Sequence, residues 1–146
     1  MDIAGTVTNL LHGKNSPIWS IQPDATVYEA IELMAGKNIG AVPVLAGGEL
    51  VGILSERDYT RKVILKGRSS KNAFVHEIMN ERPAVVSASA TVGECMRLMT
   101  EQRVRHLPVL ENGKLVGILS IGDLVKWIIS AQTATIDQLT SYIFGE

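Results

Sequence analysis

Two serine–aspartate pairs stand at the same three-residue spacing, Ser55 with Asp58 and Ser120 with Asp123, each directly after an apolar run. A hydroxyl and a carboxylate so spaced open a helix by accepting its free amides. The same helix start offers N–H groups and the positive end of a dipole to a phosphate. A carboxylate one turn in can also accept both hydroxyls of a ribose, so cap and binding group are compatible roles for one residue. Other chemistry is poorly represented. His12, His76 and His106 have no i,i+4 or His-x-His spacing, so no metal site is expected. The single cysteine, Cys95, can form no internal disulfide. No nucleophile elbow, P-loop or Gly-x-Gly-x-x-Gly run is present, and no catalytic residue is assigned.

The elements that must position these pairs are duplicated. Shifting the sequence by 65 lays Thr26–Tyr59 on Thr91–Leu124 without a gap, and 16 of the 34 positions are identical; about two would match in unrelated chains of ordinary composition. Thr26-x-x-Glu29 and Thr91-x-x-Glu94 predict capping boxes. Val27, Ala30, Ile31 and Met34 follow at helical spacing, as do Val92, Cys95, Met96 and Met99, which puts Cys95 on a buried stripe. Two apolar runs, Ala41–Leu45 and Leu50–Leu54, meet at Gly47-Gly48, and the second copy uses Asn112-Gly113; both dipeptides suit a hairpin turn at positive φ. A second helix opens at Ser55 or Ser120. Short extended pieces, Ile18–Ile21 and Ala84–Ser87, precede each first helix. The fold expected is α/β (α+β): two β-α-β-β-α units about a pseudo-twofold axis, since about 50 residues alone bury too little surface. Terminal helices packing on the outside of the units are expected at Asp2–Leu11 and Ile136–Phe144, and a short helix at Phe74–Met79. In chain order this divides as 1–67 for the first unit with its N-terminal helix, 68–82 for a connector, and 83–146 for the second unit with its C-terminal helix.

Pro43-Val44 followed by Leu50-Val51-Gly52-Ile53-Leu54-Ser55-x-x-Asp58, repeated from Pro108 to Asp123, resembles a tandem CBS-domain pair, or Bateman module, of the stand-alone single-pair kind. The resemblance spans roughly residues 14–130. It implies a non-enzymatic sensor that binds an adenine nucleotide (AMP, ADP, ATP or NAD(H), with S-adenosylmethionine also open) between the units and signals to a protein partner by population shift. It also implies a homodimer, for which Trp127-Ile128-Ile129 and Val63-Ile64-Leu65 offer apolar surface. By the family pattern each cleft is shared. One would join Ser55 and Asp58 to Arg105 and His106, with Ala84 at the base pocket. The other would join Ser120 and Asp123 to Gly40 and Ala41, with Arg57 as its cation and Trp19 stacking on adenine. Trp19 as core, and Arg105 and His106 as an exposed strand start, are the plainer alternatives.

Charge and composition bound the rest. The chain has 146 residues, a net charge of −1 and 46% hydrophobic residues, suited to a folded domain. Six of its 14 basic residues, among them Arg61 and Lys62, fall between Arg57 and Lys71. That face is either solvated, near a phosphate, or a nucleic-acid surface; the scarcity of aromatics within it argues against the last. A scaffold that binds protein with empty clefts is the other alternative. No secretory pattern and no apolar run of about 20 residues is present, so a cytoplasmic protein without a membrane partner is expected.

Overall fold

A computed structural model describes residues 4–14 and 17–144. Asp2 and Ile3 of the expected first helix lie outside the described residues. In chain order the elements begin with α1 (Val7–Gly13), α2 (Val27–Lys37), β1 (Ala41–Ala46), β2 (Glu49–Ser55) and α3 (Glu56–Tyr59), which continues as one π-helical turn over Thr60–Ile64. They go on with α4 (Val75–Ile78), α5 (Val92–Gln102), β3 (His106–Glu111), β4 (Lys114–Ser120) and α6 (Ile121–Phe144).

Each unit is an antiparallel hairpin with the same register, Pro43 opposite Ile53 in one and Pro108 opposite Ile118 in the other, and the same register shift two residues on. The turns are those the dipeptides demand: Gly47 and Gly48 lie at φ 60° and 84°, Asn112 and Gly113 at 52° and 78°. Each expected extended piece pairs through a single bridge, Ile21 with Val44 and Val86 with Val109, both parallel. Two small antiparallel sheets with helices on them make the fold the α/β type expected.

Two cores form, and the chain order does not decide which segment joins which. The first core contains Val27, Ala30, Met34, Val42, Val44 and Leu54, closed by Val75 and Ile78 of α4. The second contains Val92, Cys95, Met99, Leu107, Val109 and Leu119, closed by Val7 and Leu10 of α1. The helix expected to belong to the first unit thus packs on the second, and the connector helix packs on the first. Reciprocal backbone bonds fix the exchange: Val7 N donates to Ala90 O at 2.9 Å and Thr8 N to Ala88 O at 3.0 Å, while Val75 N donates to Ala25 O at 2.9 Å and His76 N to Pro23 O at 3.0 Å. A twofold relation between units produces this pairing, because each preceding segment reaches the edge of the other unit.

Three further expectations change. At Thr26 and Thr91 the hydroxyl accepts from the amide three residues on, at 3.1 Å in both cases, but the glutamates are exposed and no returning bond closes the box. The expected C-terminal helix is the last part of α6, one 24-residue helix that starts at Ile121. Its far end is not packed outside the units as expected: Ile136, Leu139 and Ile143 are largely exposed. Of the apolar surface expected for dimerisation, Val63 is fully buried, and Trp127 and Ile128 pack on the second core. Ile64, Leu65 and Ile129 remain exposed.

Candidate functional site

Both serine–aspartate pairs do cap. Ser55 N donates to Asp58 Oδ2 at 3.0 Å and Asp58 N to Ser55 Oγ at 3.2 Å; Ser120 N donates to Asp123 Oδ2 at 2.8 Å and Asp123 N to Ser120 Oγ at 3.1 Å. The backbone before each hairpin completes the start of the helix. Glu56 N donates to Gly40 O at 3.0 Å, and Ile121 N to Arg105 O at 2.9 Å. The motif therefore works as a cap twice over, and whatever else it does is done with the oxygen lone pairs that the caps leave.

A cleft of about 410 Å³ at Ser120 and Asp123 draws on both units. From the first come Trp19, Lys37, Gly40 and Ala41; from the second His106, Gly117, Ser120 and Asp123; and Lys14, the residue capping α1, closes one side. That volume is within the usual range for small-molecule sites. The expected grouping of Ser120, Asp123, Gly40, Ala41 and Trp19 is brought together here. His106, expected opposite Ser55, lines this cleft instead: a Cβ built on Gly40 would lie 3.4 Å from its Cε1, so the imidazole rests against that glycine. Trp19 is half-buried and outside both cores, with the Lys37 ammonium 4.1 Å from its ring centroid.

The cations of this cleft differ from the expected one. Arg57 is exposed, donates to Arg103 O at 3.4 Å across the units, and does not line the cavity. Lys14 and Lys37 do. The Lys14 ammonium donates to Asp123 Oδ2 at 2.8 Å and to Ile118 O at 2.7 Å. Burial pushes the Asp123 carboxyl up, but its bonds from Lys14 and Ser120 outweigh that and hold it below the ordinary range. Burial, and next the charge of Lys14, push the His106 imidazole down, with Asp123 opposing. Lysine at position 14 was invisible in the sequence because nothing local links it to Asp123, 109 residues away.

The other expected group is looser. Asp58 pairs with Lys62 of its own helix at 3.4 Å, and Lys62 also donates to Ile78 O at 2.9 Å. Arg105 and Arg61 are exposed, and Ala84 is half-buried against the second core. Within the basic segment, Arg68 is held by Glu77 at 2.7 Å. Among the described residues no cluster of three or more potential metal ligands occurs, and no helix is long and apolar enough to cross a membrane.

The CBS domain profile matches residues 14–64 and again 75–130. The chain belongs to the CBS domain family. This CBS pair is 37% identical to the mitochondrial CBS domain-containing protein CBSX3 of Arabidopsis thaliana, over 96% of the chain and 72% of that protein. Among solved structures it is similar to a CBS-domain protein of Burkholderia ambifaria assigned to signal transduction, at 50% identity and a TM-score of 0.85, covering 88% of this chain and 96% of the other. A hexameric CBS-CP12 protein from bloom-forming cyanobacteria shares 28% identity at a TM-score of 0.75, covering 86% of the CBS pair and 72% of that chain. Proteins of this kind are regulatory modules, and CBS domains commonly bind adenine nucleotides.

Proposed function

We propose that this CBS pair is a non-enzymatic sensor that binds an adenosine-containing nucleotide, of the AMP, ADP, ATP or NAD(H) class, in the cleft at Ser120 and Asp123. The observation that carries the reading is the cavity shared by both units, which gathers a helix start at Ser120, the Asp123 carboxylate, two lysines and an indole. The helix start and the lysines suit phosphate, the carboxylate suits ribose hydroxyls, and Trp19 offers a face to the base. A ligand that touches both units favours the arrangement in which they close on it, by no more than its differential affinity for that arrangement. Signalling passes to a protein partner from there. The Ser55, Asp58, Arg105 and Ala84 group is a second, weaker candidate of the same kind.

A homodimer through the exposed Ile64, Leu65 and Ile129 goes with this reading, and so does a cytoplasmic location. Calorimetric titration with AMP, ATP, NADH and S-adenosylmethionine tests it on wild type, Asp58→Asn and Asp123→Asn. At least one nucleotide binds wild type, and Asp123→Asn weakens it by about tenfold or more, the loss of a charged hydrogen-bond acceptor. Affinities equal to wild type in both variants would refute the assignment of these carboxylates. A bound nucleotide at a hundred times its dissociation constant also stabilises the fold by about 2.7 kcal/mol, which a scaffold with empty clefts does not gain.

A further inference from the structure

The carboxylate assigned to ribose is already engaged. Lys14 Nζ stands 2.8 Å from Asp123 Oδ2 and 2.7 Å from Ile118 O, so one ammonium takes two acceptors on the wall of the cavity. Both side chains are partly shielded, at 30% and 24% exposure, which makes this ion pair stronger than one in open water. In the repeat-related place the arrangement is different. Ile53 O accepts from the backbone N of Asn80 at 2.8 Å, and Asp58 takes its lysine from its own helix. Lys14 follows Leu11 by three residues as Arg82 follows Met79, yet Arg82 is exposed. The ammonium on the cavity wall is thus peculiar to this cleft and is not a by-product of the duplication.

Lys14 and the Ser120 amide both donate to Asp123 Oδ2, and among the described residues nothing donates to Oδ1. One ribose hydroxyl can therefore reach Oδ1 directly, whereas a second, on Oδ2, must replace Lys14 as donor. A neutral nucleoside supplies the hydroxyls but leaves the displaced ammonium without an anion. A nucleotide supplies both, because its phosphate can receive the ammonium in a charge-assisted bond. Resting on the nucleotide reading above, we infer that Lys14 sets the selectivity of the Ser120–Asp123 cleft for phosphorylated over unphosphorylated adenosine ligands, exchanging the Asp123 carboxylate for the ligand phosphate. Lys14 is then a binding residue in the occupied cleft and a plug in the free one. Removing its charge has opposite consequences for the two ligand types: the nucleoside gains an unobstructed Asp123, and the nucleotide loses its cation.

The test is a calorimetric comparison of AMP with adenosine on Asp58→Asn protein, in which only the Asp123 cleft keeps its carboxylate, with and without Lys14→Met. The ratio of AMP to adenosine affinity falls by about tenfold or more in Lys14→Met, the worth of one charged hydrogen bond, and Lys14→Arg keeps most of it. A general loss of packing would weaken both ligands together and leave the ratio alone. Both ligands binding with an unchanged ratio would overturn the role of Lys14 while leaving the nucleotide reading intact. Failure of the unsubstituted chain to bind AMP, ATP and NADH alike would overturn the nucleotide reading, and this inference with it. If Lys14→Met does not fold, Lys14→Gln is measured in its place; it can still donate to Asp123, so a smaller fall is expected, carried by weaker AMP binding alone.

Discussion

The two serine–aspartate motifs share a spacing, a cap geometry and a preceding strand, yet they end in different surroundings. Asp58 finds its cation four residues along the same helix, with a lysine 47% exposed. Asp123 finds its cation at the end of α1, a segment that reached it only because the units exchange their leading helices. The strands differ in the same way. Ile53 is paired on both sides of its peptide with Asn80, whereas the carbonyl of Ile118 is met by a side chain. A repeat therefore duplicates what its own residues specify and leaves free what its neighbours supply. The cleft served from outside the repeat is the one with a built polar wall.

The largest effects should come from the exchanged helices. Leu10→Ala and Ile78→Ala each remove a buried side chain and should cost about 3 kcal/mol in urea unfolding. Their hydrogen-exchange footprints should cross: Leu10→Ala loosens α5, β3 and β4, and Ile78→Ala loosens α2, β1 and β2. Loosening of the sequence-adjacent unit instead would break the comparison at its root. Next come the glycines facing those helices. A Cβ on Gly52 would meet Asn80 O at 2.8 Å, a backbone atom, while one on Gly117 would meet Leu11 Cδ2 at 2.6 Å, the end of a flexible side chain. Gly52→Ala should destabilise by about 2 kcal/mol and Gly117→Ala by about 1 kcal/mol, since only the second neighbour can turn away. Equal losses in the melting curves would contradict the difference drawn between the two edges.

Smaller effects separate the ion pairs. Lys14→Met should destabilise by about 1 kcal/mol, and Lys62→Met by only about 0.3 kcal/mol, as for an exposed pair. The smallest effect is the titration of His106. Its imidazole is held below the ordinary value of 6.5, so the unfolded chain binds the proton more readily than the folded one. Stability from this source is whole above that pH and falls as the pH drops through the lowered value. His106→Gln should flatten the pH dependence of the melting temperature just below 6.5 and leave the acid limb alone. That limb includes Asp123, whose contribution is whole above its ordinary 3.8 and is lost as the pH falls through its lowered value. An unflattened profile would show that His106 is not a shielded neutral group.

Much of this was legible along the chain because it is local. The hairpin turns follow from Gly47-Gly48 and Asn112-Gly113, which tolerate positive φ. The buried stripes follow from helical spacing, Cys95 included, whose thiol burial pushes up. The caps at Ser55 and Ser120 follow from side chains that reach amides three residues away. Even the grouping of Gly40, Ala41, Trp19, Ser120 and Asp123 came within reach once the resemblance to CBS pairs implied shared clefts. What stayed hidden has one cause. The side to which His106 turns, the replacement of Arg57 by Lys14 and Lys37, and the home of α1 all depend on which segments meet across the twofold.

By itself, then, the sequence determined the elements, their turns, their caps and their duplication, because those rest on contacts spanning a few residues. Only the tertiary structure decided which leading helix closes which core and which cation reaches which carboxylate. The physical reason is that α1 and α4 each bury two apolar residues of similar size, Val7 and Leu10 in one and Val75 and Ile78 in the other. Either core could accept either pair by composition, and chain reach and the backbone bonds at the unit edges make the choice.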